Sequence, residues 1–174
     1  MMNFAASEAA RNIYIVGLRN AHALESQAIE LMERQVERLQ NYPEVEARMR
    51  QHIEETRMQI QRLDQILSSL GTSASTLKDT VMSFMGNLAS LAHTPAGDEI
   101  IKNTFANYAF ENYEIASYRS LIAMAEATGQ RDSVGLLNQT LREEEMMASW
   151  LADHLRDVTL KYLSLEEQGG SGKR

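Results

Sequence analysis

The 174-residue chain reads as all-α, a four-helix bundle with a long crossover. Three observations predict this. Apolar residues recur at helical spacing through four long stretches. Only two prolines occur, Pro43 and Pro95, and each stands where a helix can begin, because the first helical position has no amide partner to lose. Gly71 and Gly129 stand where two of the stretches end, the position where a left-handed residue closes a helix.

The elements follow in order. The first helix is expected over about Glu8 to Asn41. Asn41-Tyr42-Pro43 then turns the chain so tightly that the next helix, about Pro43 to Leu70, must return antiparallel beside the first. Thr72 to His93 is too long for a simple loop. It reads as an additional shorter helix begun near Thr76, with Asp79 three residues on, carrying Leu77, Val81, Phe84, Met85, Leu88 and Leu91. Thr94-Pro95, with Asp98 and Glu99 in the first turn, opens a helix to about Thr128. Asp132 is placed to cap the last helix, which runs to about Leu163. Two antiparallel pairs joined by one long crossover is ferritin-like connectivity, distinct from a simple up-down-up-down bundle. Residues 1–165 are expected to form this one helical domain, and 166–174 a disordered tail ending Gly169-Gly170-Ser171-Gly172-Lys173-Arg174.

Composition narrows the function. With no cysteine there is no disulfide, no thiolate zinc site and no thiol nucleophile. The opening Met1-Met2-Asn3-Phe4-Ala5-Ala6-Ser7-Glu8 lacks the basic-then-apolar pattern of an export signal, and no apolar run approaches the ~20 residues that span a bilayer. A cytoplasmic protein with no membrane partner is expected. A net charge of -7 and a pI of about 5.1 oppose attraction to phosphate backbones, so nucleic acid is not an expected partner. Leu31, Phe110 and Trp150 fall outside the main apolar stripes and suggest a second contact face, hence a homodimer.

The chemistry lies in acids placed where apolar residues belong. At about 100° per residue, Glu25 falls in the stripe of Tyr14, Leu18, Ala21, Ile29 and Met32. Glu111 falls in that of Thr104, Tyr108, Ile115 and Ile122, with Glu114 one turn away. Glu144 falls in that of Leu137, Leu141, Ala148, Leu151 and Leu155. Glu55 sits on the shoulder of its helix, with Arg48 and Arg62 on its side, so an ion pair is an alternative there. Isolated buried carboxylates cost several kcal/mol each, and a convergence of them implies protons, basic partners or cations. Glu111 and Glu114, at i and i+3, can address one metal pair, and oxygen donors with added imidazole suit iron or manganese. His22-x-x-Glu25 and His52-x-x-Glu55 place imidazoles one turn from carboxylates, as direct ligands or as hydrogen-bonded supports. Tyr118 is expected to pack in the core with its hydroxyl on a carboxylate. Glu54, Glu143 and Glu145 read as solvated charge. His93 and His154 lie away from the centre. Glu25, Glu55, Glu111, Glu114, Glu144, His22 and His52 are therefore the candidate ligands of a dinuclear iron or manganese site.

Four segments carry a resemblance: Ala21-His22-Ala23-Leu24-Glu25-Ser26-Gln27-Ala28; His52-Ile53-Glu54-Glu55-Thr56; Phe110 through Tyr118; and Leu141-Arg142-Glu143-Glu144-Glu145. With Asn41-Tyr42-Pro43-Glu44-Val45 and Asp98-Glu99-Ile100-Ile101-Lys102-Asn103, they make the chain resemble the YciE/YciF family of ferritin-like proteins from about Ala9 to Leu163. That resemblance implies a bacterial, stress-associated, dimeric bundle with a dimetal site and no defined reaction. Oxygen, peroxide or metal-handling chemistry is what such a centre could support. The chain departs from the wider ferritin-like pattern of Glu-x-x-His on the second and fourth helices, because Met58 and Met147 occupy the histidine positions. The Glu111/Glu114 pair resembles that of rubrerythrins, without their rubredoxin-like cysteines. A metal-free structural or interaction protein is the alternative, its acids protonated or paired with Arg19, Arg62, Arg119 or Arg142. An iron-storing cage is a third.

Overall fold

The computed structural model describes residues 7–74, 98–170 and 172. Among these residues the chain forms α1 (Glu8–Val36), α2 (Pro43–Ser69), α3 (Glu99–Ala127) and α4 (Arg131–Glu167), with no strand. The expected crossover helix, and Thr94-Pro95 ahead of α3, lie outside the described residues.

Helix ends show the local rules at work. Ser7 caps α1 by accepting from the Ala10 amide at 3.1 Å. That helix stops at Val36, five residues before the expected end, because Leu39 and Tyr42 must enter the core. Bonds from Arg38 N to Gln35 O and from Leu39 N to Val36 O, three residues back, tighten the chain to place them. Pro43 takes the first position of α2 as expected. Gly71 and Gly129, at φ 72 and 74, close α2 and α3 with paired bonds: Thr72 N to Leu67 O and Gly71 N to Ser68 O, then Gln130 N to Ala125 O and Gly129 N to Glu126 O. Two expected starts shift by a residue or more. Asp98 flanks α3 without a side-chain cap bond, and Gln130 rather than Asp132 precedes α4, leaving Asp132 in its first turn, where its charge suits the helix dipole. Helix α4 also continues to Glu167, past the expected Leu163.

Cross-helix bonds establish the topology. Arg57 bonds Glu33 and His22 faces Asp64, so α1 and α2 are antiparallel. Gln35 pairs with Asn107 while Tyr118 reaches Glu25, so α1 and α3 are antiparallel too. Helices α2 and α3 are then parallel, which puts the end of α2 and the start of α3 at opposite ends of the bundle, roughly 40 Å apart for helices of this size. This is the ferritin-like order.

Apolar packing falls into two clusters. One, at the Tyr42 end, contains Leu24, Ala28, Met32, Met49, Ile53, Phe110, Met147 and Leu151. The other, at the opposite end, contains Tyr14, Leu18, Ala21, Leu63, Leu67, Tyr118, Leu121 and Leu137. Phe110, expected on a second contact face, is thus a core residue, whereas Leu31 and Trp150 pack against the same cluster only partly buried. Trp150 also stacks on His154 at 3.9 Å. Among the described residues no helix is long and apolar enough to cross a membrane.

Candidate metal centre

Between the two apolar clusters lies a buried polar layer: Glu25 from α1, His52, Thr56, Gln59 and Arg62 from α2, Glu111 and Glu114 from α3, and Thr140 and Glu144 from α4. The four glutamates are all at most 3 % exposed. Helical periodicity puts them there. Each occupies a turn of the inward stripe between residues of one cluster and residues of the other, as Glu25 does between Ala21 and Ala28, so folding cannot bury the leucines without burying the acids.

The layer contains two groups of potential donors, His52 with Glu111 and Glu144, and Glu25 with Glu114 and Glu144. Within each, the donor atoms lie within 4.8 Å of one another. His52 Nε2 stands 3.2 Å from Glu111 Oε2 and 3.6 Å from Glu144 Oε2. Its other nitrogen, Nδ1, stands 2.9 Å from Glu55 Oε2. Tyr118 donates its hydroxyl to Glu25 Oε1, and Gln59 Nε2 donates to Glu144 Oε1. Glu114 Oε1 is buried with no hydrogen-bond partner among the described residues, and the inward oxygens of Glu111 and Glu144, Oε2 in each, are buried facing His52 Nε2. Such oxygens are costly to leave unmatched.

Burial and mutual repulsion govern protonation here. Burial first, then the neighbouring carboxylates, hold Glu114 and Glu144 well above the usual carboxylate range. Glu25 is pushed up to about 7 by burial, against the Tyr118 hydrogen bond. His52 goes the other way. Burial opposes its charge, but Glu111, Glu55 and Glu144 outweigh burial and raise it well above the usual imidazole value. The carboxylates around the ring therefore favour its charged form. Glu55 falls to about 2, burial being overcome by His52, Arg48 and Gln51.

Of the seven candidate ligands, the fold gathers Glu25, Glu111, Glu114, Glu144 and His52. It leaves His22 outside, 3.2 Å from Asp64 and partly exposed. Glu55 is likewise outside both groups, held by Arg48 at 3.1 Å, Gln51 at 2.7 Å and His52. Glu143 is not a solvated charge. Arg62 grips it with two nitrogens, at 2.7 and 2.8 Å, and bonds Thr140 at 3.1 Å. Arg19 reaches Ser73 and Thr72, and Arg119 reaches Glu145, so none of these three arginines neutralises the central acids. Tyr108, expected on the inward stripe of α3, is exposed, whereas Gln59, read from the sequence only as a neighbour of Glu55 on its helix, is fully buried against Glu144. Its signal was spacing: Gln59 lies seven residues, two turns, after His52. Met147 is buried in the core and Met58 is exposed, so neither histidine position of the wider pattern is used.

The donor set fits a pair of divalent cations. Four carboxylates balance two such charges once His52 is neutral, and the inward-facing oxygens would gain a cation to coordinate. Glu25, Glu111, Glu114, Glu144 and His52 are the residues that could hold them.

Comparison with known proteins agrees with the fold. The chain is 34 % identical over 113 residues to Protein YciF of Escherichia coli K12, a match spanning 59 % of this chain and 64 % of that protein. A solved structure from Xanthomonas campestris superposes with a TM-score of 0.77 at 30 % identity, covering 91 % of this chain and 99 % of the other. The crystal structure of the E. coli stress protein YciF gives 0.75 at 26 % identity, covering 85 % and 95 %. The domain of unknown function DUF892 matches residues 9–164, nearly the whole length, and the chain therefore belongs to the DUF892 family.

Proposed function

We propose that this protein binds two divalent cations, iron or manganese, in the polar layer of its bundle, as a cytoplasmic homodimer acting in a stress response. One observation carries the metal reading. Three fully buried carboxylate oxygens converge in the layer: Glu114 Oε1 has no hydrogen-bond partner among the described residues, and Glu111 Oε2 and Glu144 Oε2 face His52 Nε2 at 3.2 and 3.6 Å. A structural protein would gain stability by replacing such groups with apolar ones, and a metal supplies the missing interactions. Bound iron or manganese would supply redox chemistry toward oxygen or peroxide. The chain's own part is to hold the donors: Tyr118 fixes Glu25, Gln59 fixes Glu144, and the two apolar clusters shield the layer from water. The stress assignment rests on the description of the E. coli relative as a stress protein.

Two measurements test the reading. Elemental analysis of protein purified without chelator, or loaded anaerobically, should find close to two equivalents of iron or manganese per chain. None, even after loading, would support the metal-free alternative. Glu111→Gln should then weaken binding about tenfold or more, roughly 1.4 kcal/mol per factor of ten. It would also remove most of the metal-induced rise in melting temperature, a rise that reports binding to the native state. An unchanged metal-induced rise would remove Glu111 from the site.

A further inference from the structure

The two donor groups are chemically unequal. One offers a nitrogen and two carboxylates, from His52, Glu111 and Glu144; the other offers carboxylates alone, from Glu25, Glu114 and Glu144. Helix α2 is the source of the asymmetry. Each of the other three helices places a carboxylate in the layer, whereas α2 contributes an imidazole and the Gln59 amide.

His52 is also the donor that the surrounding side chains orient most completely. A carboxylate can only accept, so the 2.9 Å contact between Nδ1 and Glu55 Oε2 requires the proton on Nδ1. That leaves Nε2, the nitrogen facing Glu111 and Glu144, to carry the lone pair whenever the ring is neutral. Glu55 is itself fixed by Arg48 at 3.1 Å and Gln51 at 2.7 Å. Orientation of an imidazole by a carboxylate on its far nitrogen is the arrangement that strengthens metal-binding histidines. Imidazole favours borderline cations such as zinc or iron, while an all-carboxylate set favours harder ones such as manganese or magnesium.

We propose that His52, oriented by Glu55, makes the centre an unequal pair, with a nitrogen-containing half that fills first with a borderline cation and an all-oxygen half that accepts a harder one. This rests on the dimetal reading above. Glu55 is then a positioning residue and not a ligand, which accounts for its place outside both groups. The two halves can hold two different metals at once.

Full-length protein stripped with chelator and titrated calorimetrically with zinc should show two steps separated by tenfold or more in affinity. Protein carrying one equivalent of zinc should still bind one equivalent of manganese, with the electron paramagnetic resonance spectrum of an isolated ion rather than of a coupled pair. His52→Gln should weaken the first zinc step by tenfold or more and bring the steps together. Glu55→Ala should weaken that same step about 10- to 100-fold while leaving the second unchanged. Glu55→Gln, which keeps an acceptor for Nδ1–H, should retain most of the affinity, an outcome that loss of packing alone would not produce. Equal zinc steps in the parent, manganese excluded by a single zinc, or a first step unaltered in both His52→Gln and Glu55→Ala would each overturn the inequality while leaving a dimetal centre standing. Absence of binding by either metal to the parent would overturn both readings.

Discussion

His52 is at most 2 % exposed in its side chain and faces three carboxylates, Glu55, Glu111 and Glu144, so the protonation of this layer bears on the stability of the metal-free protein. Glu25 has its folded value raised to about 7 from 4.5, so the folded state binds its proton more tightly than the unfolded chain. Its contribution is present below about pH 4.5 and is lost as pH rises toward 7. His52, raised above 6.5, contributes stability that is full below that value and is lost at higher pH, the same direction. Glu55, lowered to about 2 from 4.5, contributes stability above pH 4.5 that is lost as pH falls toward 2. In chelator the melting temperature should therefore peak near pH 5 and fall by several degrees toward pH 8, measured by circular dichroism in one buffer series. A metal-free protein more stable at pH 8 than at pH 5 would contradict this balance. Much of the layer could be read residue by residue: Glu25, Glu111, Glu114 and Glu144 were visible as charge in apolar stripes, and Tyr118 as the hydroxyl that would meet one of them. Gln59 escaped because an uncharged amide in a stripe carries little contrast. His22 and His52 had the same i, i+3 relation to a glutamate, and only the neighbouring helices put Asp64 beside one and Glu111 beside the other.

Helices α2 and α3 end at left-handed glycines, and α1 and α3 pack closely where a glycine allows it. A Cβ on Gly17 would meet Leu121 Cδ2 at 2.9 Å, so α1 and α3 approach across that residue. A bulky Gly17→Val should cost about 1–3 kcal/mol by overpacking. Gly129 has open space around it but a φ of +74, so Gly129→Ala should cost about 1 kcal/mol through backbone strain alone. Gly135 is the control, a glycine inside α4 with nothing within 4 Å and an ordinary backbone. Gly135→Ala should stabilise by about 0.5–1 kcal/mol. Urea unfolding of the three variants should give two losses and one gain, and a stabilised Gly129→Ala would contradict the left-handed closure of α3. Element boundaries were legible at Pro43, Gly71 and Gly129. The end of α1 was not, because it depends on Leu39 and Tyr42 turning back into a core supplied by other helices.

At the scale of the molecule, the bundle is two apolar ends around one polar middle. A homodimer is the expected assembly, and light scattering at micromolar concentration should find twice the 19.6 kDa chain mass. A strictly monomeric mass would count against it. Phe110, buried at 7 % exposure, should not affect that mass when changed conservatively to leucine, because it packs inward. The sequence by itself determined the four long helices, the turn at Pro43, the glycine closures at Gly71 and Gly129, the ferritin-like connectivity and the acids at the centre. All of these follow from period, spacing and local backbone chemistry within one segment. Tertiary structure alone decided which donors meet: that His52 joins Glu111 and Glu144 while His22 turns to Asp64, that Glu55 supports a histidine, and that Arg62 serves Glu143. The reason is geometric. A helical wheel gives the direction of a side chain around its own axis, but which atoms lie within bonding distance depends on the rotation and depth of four helices relative to one another, and packing sets those only when the whole bundle closes.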